Sequence, residues 1–223
     1  KSTKTPPTHL ELLRGNTQIS ENIIEDVLSR SYQISPLLLL LIVSFFKKHA
    51  QNERSIFSFF NSESEYSMNS HLKHKGKTPY SLLDFYHFIE KNLEHAILES
   101  EDSELWSKIR ATKLLAESKI MLTKDISTEA LHGTIVAIGL LGLYGDDVGL
   151  HAQKNIILAL TTLLKKAGTP NEAIVYIDIL EKKNLITFRG HNDAYNLWHG
   201  STIDIPAKIN ERLQEEYTDF NIA

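Results

Sequence analysis

The decapeptide Gln51-Asn52-Glu53-Arg54-Ser55-Ile56-Phe57-Ser58-Phe59-Phe60 sets one guanidinium beside a dense run of aromatic side chains. A helix starting near Asn52 or Glu53 would hold Arg54 at its N-terminus, with Ile56, Phe57, Phe59 and Phe60 packed beneath. An Arg on such a platform loses little further entropy when it meets a phosphate, and its planar fork offers two parallel charge-assisted hydrogen bonds. The competing role is structural: an ion pair with Glu53 or Glu63, or a bond to a helix carbonyl. The residues alone leave both open.

Other chemistry is harder to assemble. Gly76-Lys77-Thr78 ends like a phosphate-cradling P-loop, but the first Gly of that pattern would fall at His71, and the segment before it is rich in Ser, Glu and Asn rather than strand-like. His71 and His74 read as a solvent-exposed pair in a loop, with His87, His95 and His132 further along. With no Cys and no His-Glu-x-x-His, no zinc ligand set is legible. No Gly-x-Ser-x-Gly elbow occurs either. Glu101-Asp102 and Asp146-Asp147 read as solvated loop carboxylates. The expectation is a chain that is not an enzyme by itself, with no catalytic residue and no metal ligand.

The elements that must position these residues are mostly helical. Residues 1–9, with Pro6-Pro7, have the composition of a flexible tether. Ile23, Ile24, Val27 and Leu28 have helical spacing, in a helix ending near Ser31. Pro36 suits the first turn of a helix that runs to about Ala50 and is apolar nearly all round, hence central to a core. Its apolar run is too short for the ~20 residues that cross a bilayer, so no membrane is expected. Residues 61–78 are polar and aperiodic, which predicts a loop. Pro79 then opens a stretch in which Leu82, Leu83, Phe85, Tyr86, Ile89 and Leu93 form a buried stripe. Helices follow over 103–119, 127–144 and 151–167, broken at Asp125, at Gly145 to Gly149 and at Gly168-Thr169-Pro170. A helix over 170–183 precedes two β-like runs, Leu185 to Arg189 and Ala194 to Trp198, around the turn Gly190 to Asp193. Ile205 to Leu213 reads as a last amphipathic helix.

The predicted fold class is therefore mainly α. A helical region spans 10–125 with its polar loop at 61–78, and a winged-helix-like module with a short β-hairpin and a C-terminal helix spans 126–223. Tyr195 and Trp198 are expected in the core of that module.

Composition bounds the function. The 223 residues are 42% hydrophobic and 23% charged with a net charge of −4, which excludes disorder and collagen-like repeats. A winged helix could carry DNA on Lys182, Lys183 and Arg189. From Gly168 onward, however, five Lys and Arg face nine Asp and Glu, which opposes a polyanion and favours protein–protein or intramolecular packing. No charged start followed by a cleavable apolar segment is visible, so a cytoplasmic location is expected. A first residue of Lys rather than Met suggests a piece of something longer.

Three runs carry a family resemblance: Tyr32 to Phe60 with its Gln51-Asn52-Glu53-Arg54-Ser55 motif, Ala130 to Gly145 with Ile-Gly-Leu-Leu-Gly-Leu-Tyr-Gly, and Phe188 to Ser201 with Arg189, Asn192, Asp193, Tyr195, Trp198, Gly200 and Ser201. Together they resemble segments of large bacterial P-loop ATPases of the AAA+/STAND type, often known only as ATP-binding proteins. One departure is Ser35, where the family pattern has a His before the Pro of the buried helix. No Walker motif occurs, so the resemblance implies the helical lid and winged-helix part downstream of a nucleotide-binding core. It implies that Arg54 senses nucleotide in the parent protein. It also implies that ATP and Mg2+ belong to the parent's core rather than to this fragment. The partners implied are that core and a further protein or a second copy, with DNA as the alternative.

Overall fold

The run Thr128 to Tyr144 is apolar on every side, and a helix of that kind is stable in water only when other elements cover it all round. The computed structural model, which describes residues 33–49, 54–75, 78–120, 127–161 and 172–198, has this segment at its centre. The helices are α1 (Pro36–His49), α2 (Arg54–Asn61), α3 (Met68–Lys75), α4 (Leu82–Asn92), α5 (Glu94–Leu98), α6 (Ser103–Lys119), α7 (Thr128–Tyr144), α8 (Lys154–Thr161) and α9 (Glu172–Lys182). A 3-10 turn, Asp146–Val148, joins α7 to α8. Strands β1 (Ile186–Arg189) and β2 (Ala194–Leu197) pair antiparallel, with Ile186 opposite Leu197 and Arg189 opposite Ala194. Helices α1, α4, α6, α8 and α9 and strand β2 all pack on α7. The fold is mainly α with a small hairpin, as the periodicity predicts.

Local signals fix the ends. Ser35 Oγ accepts from the Leu38 N–H at 3.2 Å, capping α1 ahead of Pro36. Ser81 and Asp84 form a reciprocal capping box at the start of α4. Ser127 caps α7 by accepting from the Ala130 N–H. Helix α9 ends in a Schellman motif: the Leu185 N–H donates to Leu180 O, the Asn184 N–H to Glu181 O, and Asn184 takes a φ of 53°. Buried Leu180 and Leu185 flank that turn, which aims the chain into β1.

The buried side chains form one hydrophobic cluster from Ile34 to Leu197, shared by α6 and α7 across the expected boundary at 125/126. Edge-to-face contacts join Phe45 of α1 to Phe85 of α4 and Tyr144 of α7, and Phe59 of α2 to Tyr80, Phe85 and Phe88. Tyr86 stacks on Trp106 with centroids 5.0 Å apart, tying α4 to α6.

Three expectations need correction. Residues 61–78 contain α3 rather than only loop: Ser67 caps it by accepting from the Ser70 N–H, and Met68 and His71 anchor it in the core. Phe57 and Phe60 are exposed and only Phe59 of the aromatic run is fully buried, because an eight-residue helix lying on a core buries a single strip. Trp198 is also exposed, whereas Tyr195 is buried as expected. The tether at 1–9, the helices expected before Ser31 and at Ile205 to Leu213, and the break at Asp125 lie outside the described residues.

Helix α6 approaches α7 closely at Gly139. A Cβ built on Gly139 would stand 2.3 Å from Ile109 Cγ1, well inside any real contact. Gly139→Ala is therefore expected to destabilise the chain by about 1–3 kcal/mol through overpacking. Adding Ile109→Ala should recover part of that loss, as read by urea denaturation.

Candidate functional site

Arg54 is the first described residue of α2. Helical spacing puts position 54 on the same face as positions 57, 58 and 61, and Phe57, Ser58 and Asn61 are all exposed. The opposite face carries Phe59 into the core. Gln51, Asn52 and Glu53 lie outside the described residues, and Glu63 pairs with Lys73.

Lys182, Lys183 and Arg189 are exposed at the C-terminal end of α9 and the far end of β1. Acidic groups share that end of the molecule. Burial raises the Tyr195 hydroxyl above its ordinary range, and Glu181, Asp178 and Asp193 push it further in the same direction. The surroundings of the hairpin are thus mixed in charge.

Three of the histidines come together although they are distant in sequence. His71, His87 and His132 line one cleft of about 560 Å³, along with Lys75, Asp84 and Glu129. His71 is buried rather than exposed, which corrects the expectation for the His71 and His74 pair, and His74 remains on the surface. The His71 Nε2–H donates to Thr78 O at 2.7 Å, leaving Nδ1 3.7 Å from Asp84 Oδ2. Asp84 also accepts from Lys75 Nζ and from Ser81. Burial alone would raise that carboxyl, but the Lys75 and Ser81 bonds outweigh it and hold it below its ordinary value. His87 pairs with Glu90, and His132 with Glu117 at 2.9 Å. The three histidines face three different carboxylates, and the described residues contain no cluster of ligands fit to hold a metal ion.

A second polar group, missed in the sequence, sits where α1, α6 and α7 meet. Asp102, expected in solvent, is buried; its carboxylate accepts from Lys48 Nζ at 2.7 Å and contacts His49 Nε2 at 2.8 Å. Tyr144 Oη lies 3.2 Å from the same His49 nitrogen. A proton relay through an imidazole needs both ring nitrogens, one for each partner. Here both contacts fall on Nε2, so the arrangement is a clamp rather than a relay. Burial holds His49 below its ordinary range against the pull of Asp102. Lys48, whose burial acts downward, is held above its range by its bonds to Asp102 and Glu101. The basic end Lys47-Lys48-His49 also suits the partial negative charge at the C-terminus of α1. Beside the clamp lies a cleft of about 670 Å³ lined in part by Lys47, Glu101, Asp146 and Asp147. Asp146 pairs with His151, and Asp147 accepts from Ser44 Oγ. No protein family, curated protein or solved structure matches this chain.

The clamp sets an expected pH dependence. His49 has a folded value below its unfolded one of about 6.5, so the unfolded chain binds more protons as pH falls below that point. Stability contributed by neutral His49 is then complete above about pH 7 and is lost on acidification. His132, lowered by burial and by Lys113, acts in the same sense. The urea midpoint should drop between about pH 7.5 and 5.5, and His49→Gln should flatten part of that slope. An unchanged slope in the variant would remove His49 as its source.

Proposed function

We propose that this chain is a non-catalytic regulatory and interaction segment of a larger ATPase, coupling the nucleotide state of the parent's P-loop core to partner contacts. In this reading Arg54 is the nucleotide-sensing residue, and ATP and Mg2+ are held by the parent's core. The observation that carries it is the outward face of α2: position 54 shares a face with exposed Phe57, Ser58 and Asn61 while Phe59 anchors the helix. On that face the exposed Phe57 offers an apolar contact to a neighbour, and a guanidinium suits a phosphate there better than an ammonium would. The family resemblance of Gln51 to Ser55 supports the same reading.

The order of α8, α9 and the β1–β2 hairpin supports a winged-helix-like module at the C-terminal end of the described residues. Its partner is a protein rather than DNA: Lys182, Lys183 and Arg189 are offset by Asp178, Glu181 and Asp193, and a polyanion gains little from a mixed-charge surface.

Two measurements test this. Arg54→Lys in the parent protein is expected to lower ATP turnover, while in the isolated chain it should change stability by no more than about 0.5 kcal/mol, as for surface substitutions. A loss of about 1–3 kcal/mol in the isolated chain would mark Arg54 as a structural hydrogen-bonding residue instead. For the hairpin, anisotropy with labelled duplex DNA at physiological salt should give a Kd weaker than ~10 μM. Tighter, salt-dependent binding that is lost in Lys182→Ala, Lys183→Ala or Arg189→Ala would replace the protein-partner reading with the DNA one.

A further inference from the structure

Helix α6 buries Trp106, Ile109, Thr112 and Ala116 against the core, and its opposite face carries another stripe. Ser107, Ala111, Leu114, Leu115 and Ser118 follow at spacings of three and four, and all are exposed. Leu114, at 67%, is the most exposed large apolar side chain among the described residues, and Leu115 reaches 45%. Small residues at 107, 111 and 118 would let a second helix approach closely along the stripe.

The flanking charges specify the occupant. Glu104 and Lys108 border one side of the stripe near its start and Lys119 borders the same side at its end; Arg110 and Glu117 border the other. We infer that this face pairs with the same face of a second copy, antiparallel about a two-fold axis lying between Ala111 and Leu114. In that register Ser107 faces the partner's Ser118 and Ala111 faces the partner's Leu114. Arg110 then comes beside the partner's Glu117, and Glu104 beside the partner's Lys119, each contact occurring twice by symmetry. A parallel two-fold pairing brings opposite flanks together and sets Arg110 beside the partner's Lys108, a like-charge contact that the antiparallel register avoids, so charge favours the antiparallel dimer. Arg110 already holds Glu94 at 2.7 Å and Glu117 holds His132, so these side chains are anchored near the rim before association. One helix pair lies at the small end of specific interfaces, so the dimer is weak, with a Kd on the order of 10–100 μM. This inference does not rest on the ATPase reading.

The chain has no cysteine, so an introduced thiol reports without background. Ser107→Cys and Ser118→Cys are prepared separately and treated with a short bis-maleimide, alone and mixed. In the antiparallel register each position lies about 16 Å from its own symmetry mate along the helix, so the mixture should give the crosslinked dimer and neither variant alone should. Efficient crosslinking of each variant by itself would overturn the antiparallel register. Sedimentation up to about 500 μM tests the interface without a crosslinker, over the range where a weak interface associates. The unmodified chain should form dimers, Leu114→Asp should stay monomeric, and Arg110→Glu should weaken association roughly tenfold, with Glu117→Arg restoring it in the double variant. A monomer at every concentration, or a Leu114→Asp variant that dimerises as well as the parent sequence, would overturn the inference.

Discussion

Everything in this molecule follows from the need to cover α7. Seventeen residues from Thr128 to Tyr144 offer almost no polar face, and twelve of their side chains or α-carbons are buried. No single neighbour can enclose such a helix. The chain surrounds it with α1, α4, α6, α8, α9 and β2, and the hairpin closes the shell rather than extending from it. Tyr195 donates its backbone N–H to Ala152 O, and Trp198 donates its own to Leu185 O, so the hairpin is bonded into the segments that precede α8 and follow α9. Glycine makes the enclosure possible at two points. Gly139 admits Ile109 of α6, and at Gly145 a Cβ would stand 2.0 Å from Leu150 O, where the chain turns back sharply after α7.

Enclosure also explains where the buried charges are. The C-terminal end of α1, the N-terminal end of α6 and the C-terminal end of α7 converge on one point, and helix ends bring unsatisfied backbone groups and partial charges with them. Asp102 stands at the N-cap position of α6 but makes no side-chain cap; its carboxylate is turned to Lys48 and His49 instead. Removing one member would leave the others desolvated and unpaired, which is why such a group is conformationally specifying even if its net contribution to stability is small. Asp84 repeats the pattern at the start of α4, where one carboxylate serves the capping box and also receives Lys75.

The helices with strong period were legible in sequence because Pro36, Ser81, Ser127 and the Gly145 to Gly149 turn mark their ends in residue types with a direct backbone consequence. Helix α3 was not, because Met68 to Lys75 is mostly polar and its two buried anchors, Met68 and His71, do not make a stripe. Which aromatic neighbours of Arg54 face inward was not legible, since three Phe in four residues fit several rotations of a short helix. The His49–Asp102 contact spans 53 residues and the Tyr144–His49 contact 95, and no local spacing encodes either. The same holds for the cleft of His71, His87 and His132, which the packing of α3 and α4 near the start of α7 creates.

The distribution of chemistry between inside and outside bears on function. Several buried titratable groups are engaged with one another, Asp102 with Lys48 and His49 and Asp84 with Lys75 and Ser81, whereas the buried His71 Nδ1 has no hydrogen-bond partner. A group held in that way is costly to redirect to a ligand, because its partner would be left charged and desolvated. What the fold presents outward is different in kind. It offers the face of α2 that carries position 54 and Phe57, the Leu114–Leu115 stripe of α6, and the mixed-charge hairpin with Phe188 and Trp198. Apolar side chains on well-packed helices are preorganised for contact, since little further ordering is needed when a partner covers them. A packed interior surrounded by separate apolar faces on different helices is compatible with the interaction role proposed for this chain.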